Sequence, residues 1–152
     1  MDLFSFLRRE HLRLRDIMQQ IEEFSPSGLK VRERLFERLC IPFLNHLRTE
    51  EQVIFSALGA DRDCQDSVFK AQEQHHLLDL VLGELIQLPM SNYRWVPKFR
   101  VFRELAEHHF DCEENELFMD ALESVPEEHL ERLHRELGLK MGSLGDSAAL
   151  YS

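Results

Sequence analysis

One ten-residue pattern occurs twice in this chain. HLRTEEQVIF begins at His46 and HFDCEENELF at His109; both read H-x-x-x-E-E-x-x-x-F, 63 positions apart. The repetition extends beyond the motif. Phe4, Leu7, His11, Leu14, Met18 and Ile21 are spaced 3, 4, 3, 4 and 3. Val68, Ala71, His75, Leu78, Leu82 and Leu85 repeat that spacing 64 positions on. Steps of three and four put residues on one face of an α-helix. The chain is therefore read as one helical hairpin used twice, with a histidine set into the apolar stripe of each helix.

Breaks fall at SPSG (25–28), GADRD (59–63), PMSN (89–92) and SVP (124–126). The segments between them are long and helical in period, and no alternating strand pattern appears. Short connections between long helices make neighbours antiparallel. The fold class expected is all-α: an up-down-up-down four-helix bundle with a short fifth helix at the C-terminal end. At 152 residues, the chain holds one domain with a proper core. Ser124 is the expected N-cap of the fifth helix, with Pro126 at its first position and Glu127 and Glu128 in its first turn. Leu130, Leu133 and Leu137 form its apolar face, expected to lie on the bundle. The domain is placed at 1–141, and GSLGDSAALYS (142–152) is read as a disordered tail. Pro42 interrupts the second segment, but Val31, Leu35 and Leu39 already follow the helical pattern. A kink there is expected, rather than a helix start.

Helical rows also decide between adjacent histidines. His75 shares its row with Val68, Ala71 and Leu78, whereas His76 lines up with Asp79 and Gly83. His109 lines up with Phe102 and Leu105, and His108 with Glu104 and Asp111. Counting from the helix ends at 1.5 Å per residue, the heights of the paired histidines agree to within about 6 Å. His11, His46, His75 and His109 thus share one layer. Glu50 and Glu113 lie one turn along the same faces.

A single histidine on an apolar face is ordinarily a hydrogen-bonded core residue. Four histidines and two buried carboxylates in one layer are different, because paired carboxylates repel and are costly to desolvate. A metal removes both problems. Imidazole and carboxylate without thiolate suit iron, manganese or zinc. Two six-coordinate ions, four imidazoles, two bridging carboxylates and an oxo or hydroxo bridge leave about one open position per ion.

The net charge of -10 argues against nucleic acid and anionic membranes as partners. The start, MDLFSFLRRE, lacks the basic region of a secretory signal, and no apolar run is long enough to span a membrane. Cys40, Cys64 and Cys112 are an odd, scattered set that fits a reducing cytoplasm. Without a C-x-x-C pair, a zinc–thiolate site is not expected.

The order H, H-x-x-x-E, H, H-x-x-x-E on four helices resembles the hemerythrin-like, or HHE cation-binding, family. The resemblance covers about residues 1 to 122. A ferritin-like bundle expects Glu-x-x-His pairs in the core; here Glu73–His76 and Glu131–His134 lie outside the stripes. The resemblance implies a non-haem di-iron centre, oxo- or hydroxo-bridged. His11, His46, His75 and His109 are its terminal ligands, and Glu50 and Glu113 bridge. It also implies a small ligand, O2, NO or peroxide, and a role as sensor, scavenger or iron donor in iron-centre repair, in a monomer or weak homodimer. Oxygen-carrying hemerythrins have a second histidine where this chain has Asp79, and an aspartate where it has Glu114. The set is more similar to the repair proteins and the iron- and oxygen-sensing members.

Two readings from other classes stay open: a hydrolase working through metal-bound hydroxide, and an interaction module with a structural metal. For the first, no Gly-rich loop or basic phosphate-binding cluster can be named. Glu10, Glu51 and Glu114 can hold imidazole N–H groups or form a solvated face, and the solvated face is the plainer reading. Cys112 is a packed thiol or an oxidant sensor. His129 and His134 are expected on the surface.

Overall fold

The computed structural model describes the backbone of residues 2–149 and the surroundings of side chains to residue 142. Helix α1, Leu3–Phe24, starts where Asp2 accepts a 2.8 Å hydrogen bond from the Ser5 amide. Its six-residue stripe is buried as expected. A short 3-10 turn, Ser25–Ser27, leads to Gly28, whose φ of +122° only glycine adopts easily. Helix α2 runs Leu29–Thr49, widens into a π-helical stretch at Glu50–Phe55 and ends with Ser56–Leu58. Pro42 lies inside α2, so the helix does not begin there. The ring removes the partner of the Arg38 carbonyl, and Arg38 is exposed to water.

Helix α3 is Gln65–Gln87. Helix α4 is Trp95–Cys112, a second π-helical stretch at Glu113–Leu117, and Phe118–Ser124. On α4 the fully buried core position is Ala106, and Leu105 sits half-buried beside it. Helices α1 and α2 pair as one hairpin, α3 and α4 as the other, and α1 also lies along α4. This is the antiparallel four-helix bundle expected. Arg32 ties the loops at one end, donating to the Met90 and Ser25 carbonyls at 2.8 and 3.1 Å.

Helix α5, Glu127–Ala149, has 23 residues and is not short. Leu133 and Leu137 join the bundle core, with Leu130 half-buried against it, so α5 does pack on the bundle. Ser124 does not cap it. Its hydroxyl donates back to the Asp120 carbonyl at 2.8 Å, in the last turn of α4, and the Pro126 carbonyl accepts the first bonds of α5. The backbone is helical past residue 141. The expected tail falls mostly on positions whose side chains lie outside the described residues, as residues 150–152 do entirely.

The core is two apolar clusters. One gathers Leu3, Phe4 and Leu7 with Ile54, Phe55, Phe118 and α5. The other gathers Leu14, Met18 and Ile21 with Phe43, Leu82, Trp95 and Phe102. Burying each such side chain is worth about 1.5–3 kcal/mol. Between the clusters lies a polar layer.

Candidate metal centre

The polar layer holds the six residues that the sequence singled out. His11 comes from α1, His46 and Glu50 from α2, His75 from α3, and His109 and Glu113 from α4. All six are at most 2% exposed. Both π-helical stretches begin at the glutamates, Glu50 and Glu113. Such widened turns recur at functional sites, and nothing in the sequence pattern announces them.

Glu50 lies 2.8 Å from His46 Nε2 and 3.6 Å from His75 Nε2. Glu113 lies 3.3 Å from His11 Nε2 and 3.2 Å from His109 Nε2. Each glutamate therefore faces both hairpins. The ligand atoms form two groups whose members all lie within 4.8 Å of one another: His11, His46, Glu50, Glu113, and Glu50, His75, His109, Glu113. The two glutamates are common to both.

Two of the outer ring nitrogens have hydrogen-bond partners. His75 Nδ1 donates to Glu51 at 3.0 Å, and His109 Nδ1 to the side-chain oxygen of Gln74 at 2.6 Å. Glu114 lies 3.6 Å from His11 Nδ1. The solvated-face reading thus gives way for Glu51 and Glu114; Glu10 faces Arg13 and none of the four histidines. Gln74 was not foreseen. With their Nδ1 protons turned outward, His75 and His109 bring their Nε2 atoms to 3.0 Å of each other. That approach is repulsive unless a proton or a cation lies between them.

Burial alone would raise the Glu50 carboxyl, but His46, Glu113 and His75 hold it well below the usual carboxylate range. Burial would lower His11 and His75; their carboxylate neighbours, Glu113 and Glu114 for one and Glu50 and Glu51 for the other, instead raise each to about 9. The carboxylates thus draw positive charge into the layer, which a proton or a metal ion can supply. Close as these contacts are, both oxygens of Glu50 and of Glu113, both ring nitrogens of His11 and Nε2 of His46 are buried without a properly directed hydrogen-bond partner. Buried polar atoms are rarely left so. A hard or borderline cation fits this donor set of imidazoles and carboxylates.

Aromatic rings seal the layer. Phe110 stacks on His11 with centroids 4.2 Å apart, and Phe55 lies 4.8 Å from His75. A tight crevice between α3 and α4, lined by Gln74, Cys112 and Glu113, leaves no room for a water molecule. Asp79 and Cys112 are not among the clustered ligand atoms; the Cys112 thiol lies 3.5 Å from His108 Nε2. His76 and His108 are exposed, and His129 and His134 are half-buried rather than fully on the surface.

The sequence model of the Hemerythrin HHE cation binding domain matches residues 2–121. Uncharacterized protein Rv2633c of Mycobacterium tuberculosis is 25% identical over 117 residues, 77% of this chain and 70% of its own length. Uncharacterized protein Mb2666c of Mycobacterium bovis matches to the same extent. A crystal structure of a hemerythrin HHE cation binding domain-containing protein from Mycobacterium kansasii, a homolog of Rv2633c, superposes with a TM-score of 0.85 at 23% identity. The match covers 99% of this chain and 91% of that one.

Proposed function

The chain belongs to the hemerythrin HHE cation-binding family, and from that membership we propose that it is a non-haem di-iron protein that binds or reacts with O2, NO or peroxide. The observation that supports two ions is the sharing of Glu50 and Glu113 by both ligand groups. His11 and His46 serve one ion and His75 and His109 the other. Bound iron supplies redox chemistry and open coordination positions for a small ligand.

The protein's own part is orientation and exclusion. Glu51 and Gln74 fix the His75 and His109 rings so that Nε2 points inward. The crevice that touches Glu113 is too tight to admit a hydrolase substrate. None of the lining residues of the larger clefts belongs to the six. Sensing, scavenging and iron donation are the roles this site can support. Three cysteines, none disulfide-bonded, agree with a reducing compartment, and among the described residues no helix is long and apolar enough to cross a membrane.

The test is the iron content and visible spectrum of aerobically purified protein. Ferric iron pairs with oxygen ligands absorb visible light; zinc and magnesium do not. The expected result is about two iron ions per chain, as a two-metal site requires, and a coloured protein whose bands change on adding azide or NO. A colourless zinc protein, or bands indifferent to both ligands, would overturn the reading.

A further inference from the structure

The two hairpins meet at two seams, α2 against α3 and α1 against α4. At the first seam, Glu51 accepts from His75 Nδ1 at 3.0 Å. Arg48 Nη1 grips both oxygens of Glu51 at 2.5 and 2.9 Å, and Arg48 Nη2 donates to Asp79 at 2.5 Å. At the second seam, Glu114 lies 3.6 Å from His11 Nδ1 and 3.6 Å from Arg15 Nη1, while Arg15 Nη2 donates to Asp111 at 2.7 Å. In both, the glutamate and the histidine belong to opposite hairpins.

The repeat makes the pairing more telling. Shifting Arg48 by the 63-position offset gives Asp111, and shifting Arg15 by 64 gives Asp79. Equivalent positions thus carry the same ion pair with its charges exchanged. What both seams keep is an arginine within reach of the glutamate, whichever helix supplies it. As stabilising contacts these pairs are weak, because the Arg48 side chain is 41% exposed and that of Asp111 is 64% exposed. Their fixed geometry is worth more than their energy.

We propose that Arg48 and Arg15 are positioning residues of the metal centre. Arg48 holds by hydrogen bonds the glutamate that orients the histidine across its seam, and Arg15 acts on Glu114 and His11 through looser 3.6 Å ion pairs, so that each tunes one ion selectively. This rests on the two-ion reading above. Arg48 acts on the ion of His75 and His109, and Arg15 on the ion of His11 and His46. Removing a partner that orients a metal-bound histidine costs about 10- to 100-fold in affinity. The closed contacts at Arg48 put its effect above that of Arg15, whose glutamate stands beyond hydrogen-bond distance.

The test is titration of the metal-free protein with cobalt(II), followed in the visible. The parent is expected to take up two ions. Arg48→Ala is expected to weaken one step about tenfold or more, Arg48→Lys to recover part of the loss, and Arg103→Ala to change nothing, because Arg103 pairs with Glu22 and Glu107 instead. Circular dichroism confirms folding of each variant. In a His75→Ala background, Arg48→Ala should have no further effect, while Arg15→Ala should still weaken the remaining ion. Equal effects of Arg48→Ala with and without His75, or none beyond Arg103→Ala, would overturn the proposal and leave the two-ion reading standing. A parent that takes up no cobalt overturns both.

Discussion

His75 and His76 are adjacent and do unrelated things. Consecutive helix residues point about 100° apart, so only one can face the bundle axis. His75 is buried between Phe55 and His109, and His76 is exposed. His75→Ala is expected to lower bound iron and weaken the visible bands. His76→Ala should leave both nearly unchanged, as surface substitutions do. Iron per chain and spectra of the two variants beside the parent check this; the reverse result would mean the α3 register is wrong. The six polar positions of the layer were legible because each replaces an apolar residue in a stripe. Glu51 and Glu114 were half legible. They recur at the same place in both motifs, yet helical spacing turns them off the axis, where solvated residues also sit. Gln74 was not legible, since one amide on a helix flank carries no periodic signal; only its 2.6 Å contact with His109 reveals it.

At the scale of elements, glycine and proline marked where four helices end, and local chemistry moved the details. Ser124 spends its hydroxyl on α4, so α5 starts at Glu127 instead of being capped from residue 124. The π-helical stretches escaped notice for a physical reason. A widened turn shifts the register by one residue, and the adjacent apolar pairs Val53–Ile54 and Leu117–Phe118 satisfy either register; all four are buried. Helix α5 gives an element-level prediction. Leu137 is 1% exposed in the cluster with Phe4 and Phe118. Leu137→Ala should cost about 2–5 kcal/mol and lower the melting temperature. Iron per chain in the folded protein should not change, because α5 supplies none of the six residues. Loss of iron from a fully folded Leu137→Ala variant would show that α5 helps build the centre.

For the whole molecule, the hairpin used twice produces a core split in two by a polar layer, and the layer is costly to bury without a cation. Metal binding is then coupled to folding and to release of the protons held by His11 and His75. The metal-free protein should melt well below the loaded one, and loading should tighten as pH rises. Equal melting temperatures with and without chelator, metal loss being verified, would contradict this coupling. The central claim is that Glu50 and Glu113 are shared by two ions, one per hairpin. The most direct measurement is an anomalous difference map at the iron edge, from crystals of the aerobically purified protein. Two peaks are expected, one beside His11 and His46 and one beside His75 and His109, with both glutamates between them. A single peak, or none within the layer, would contradict it.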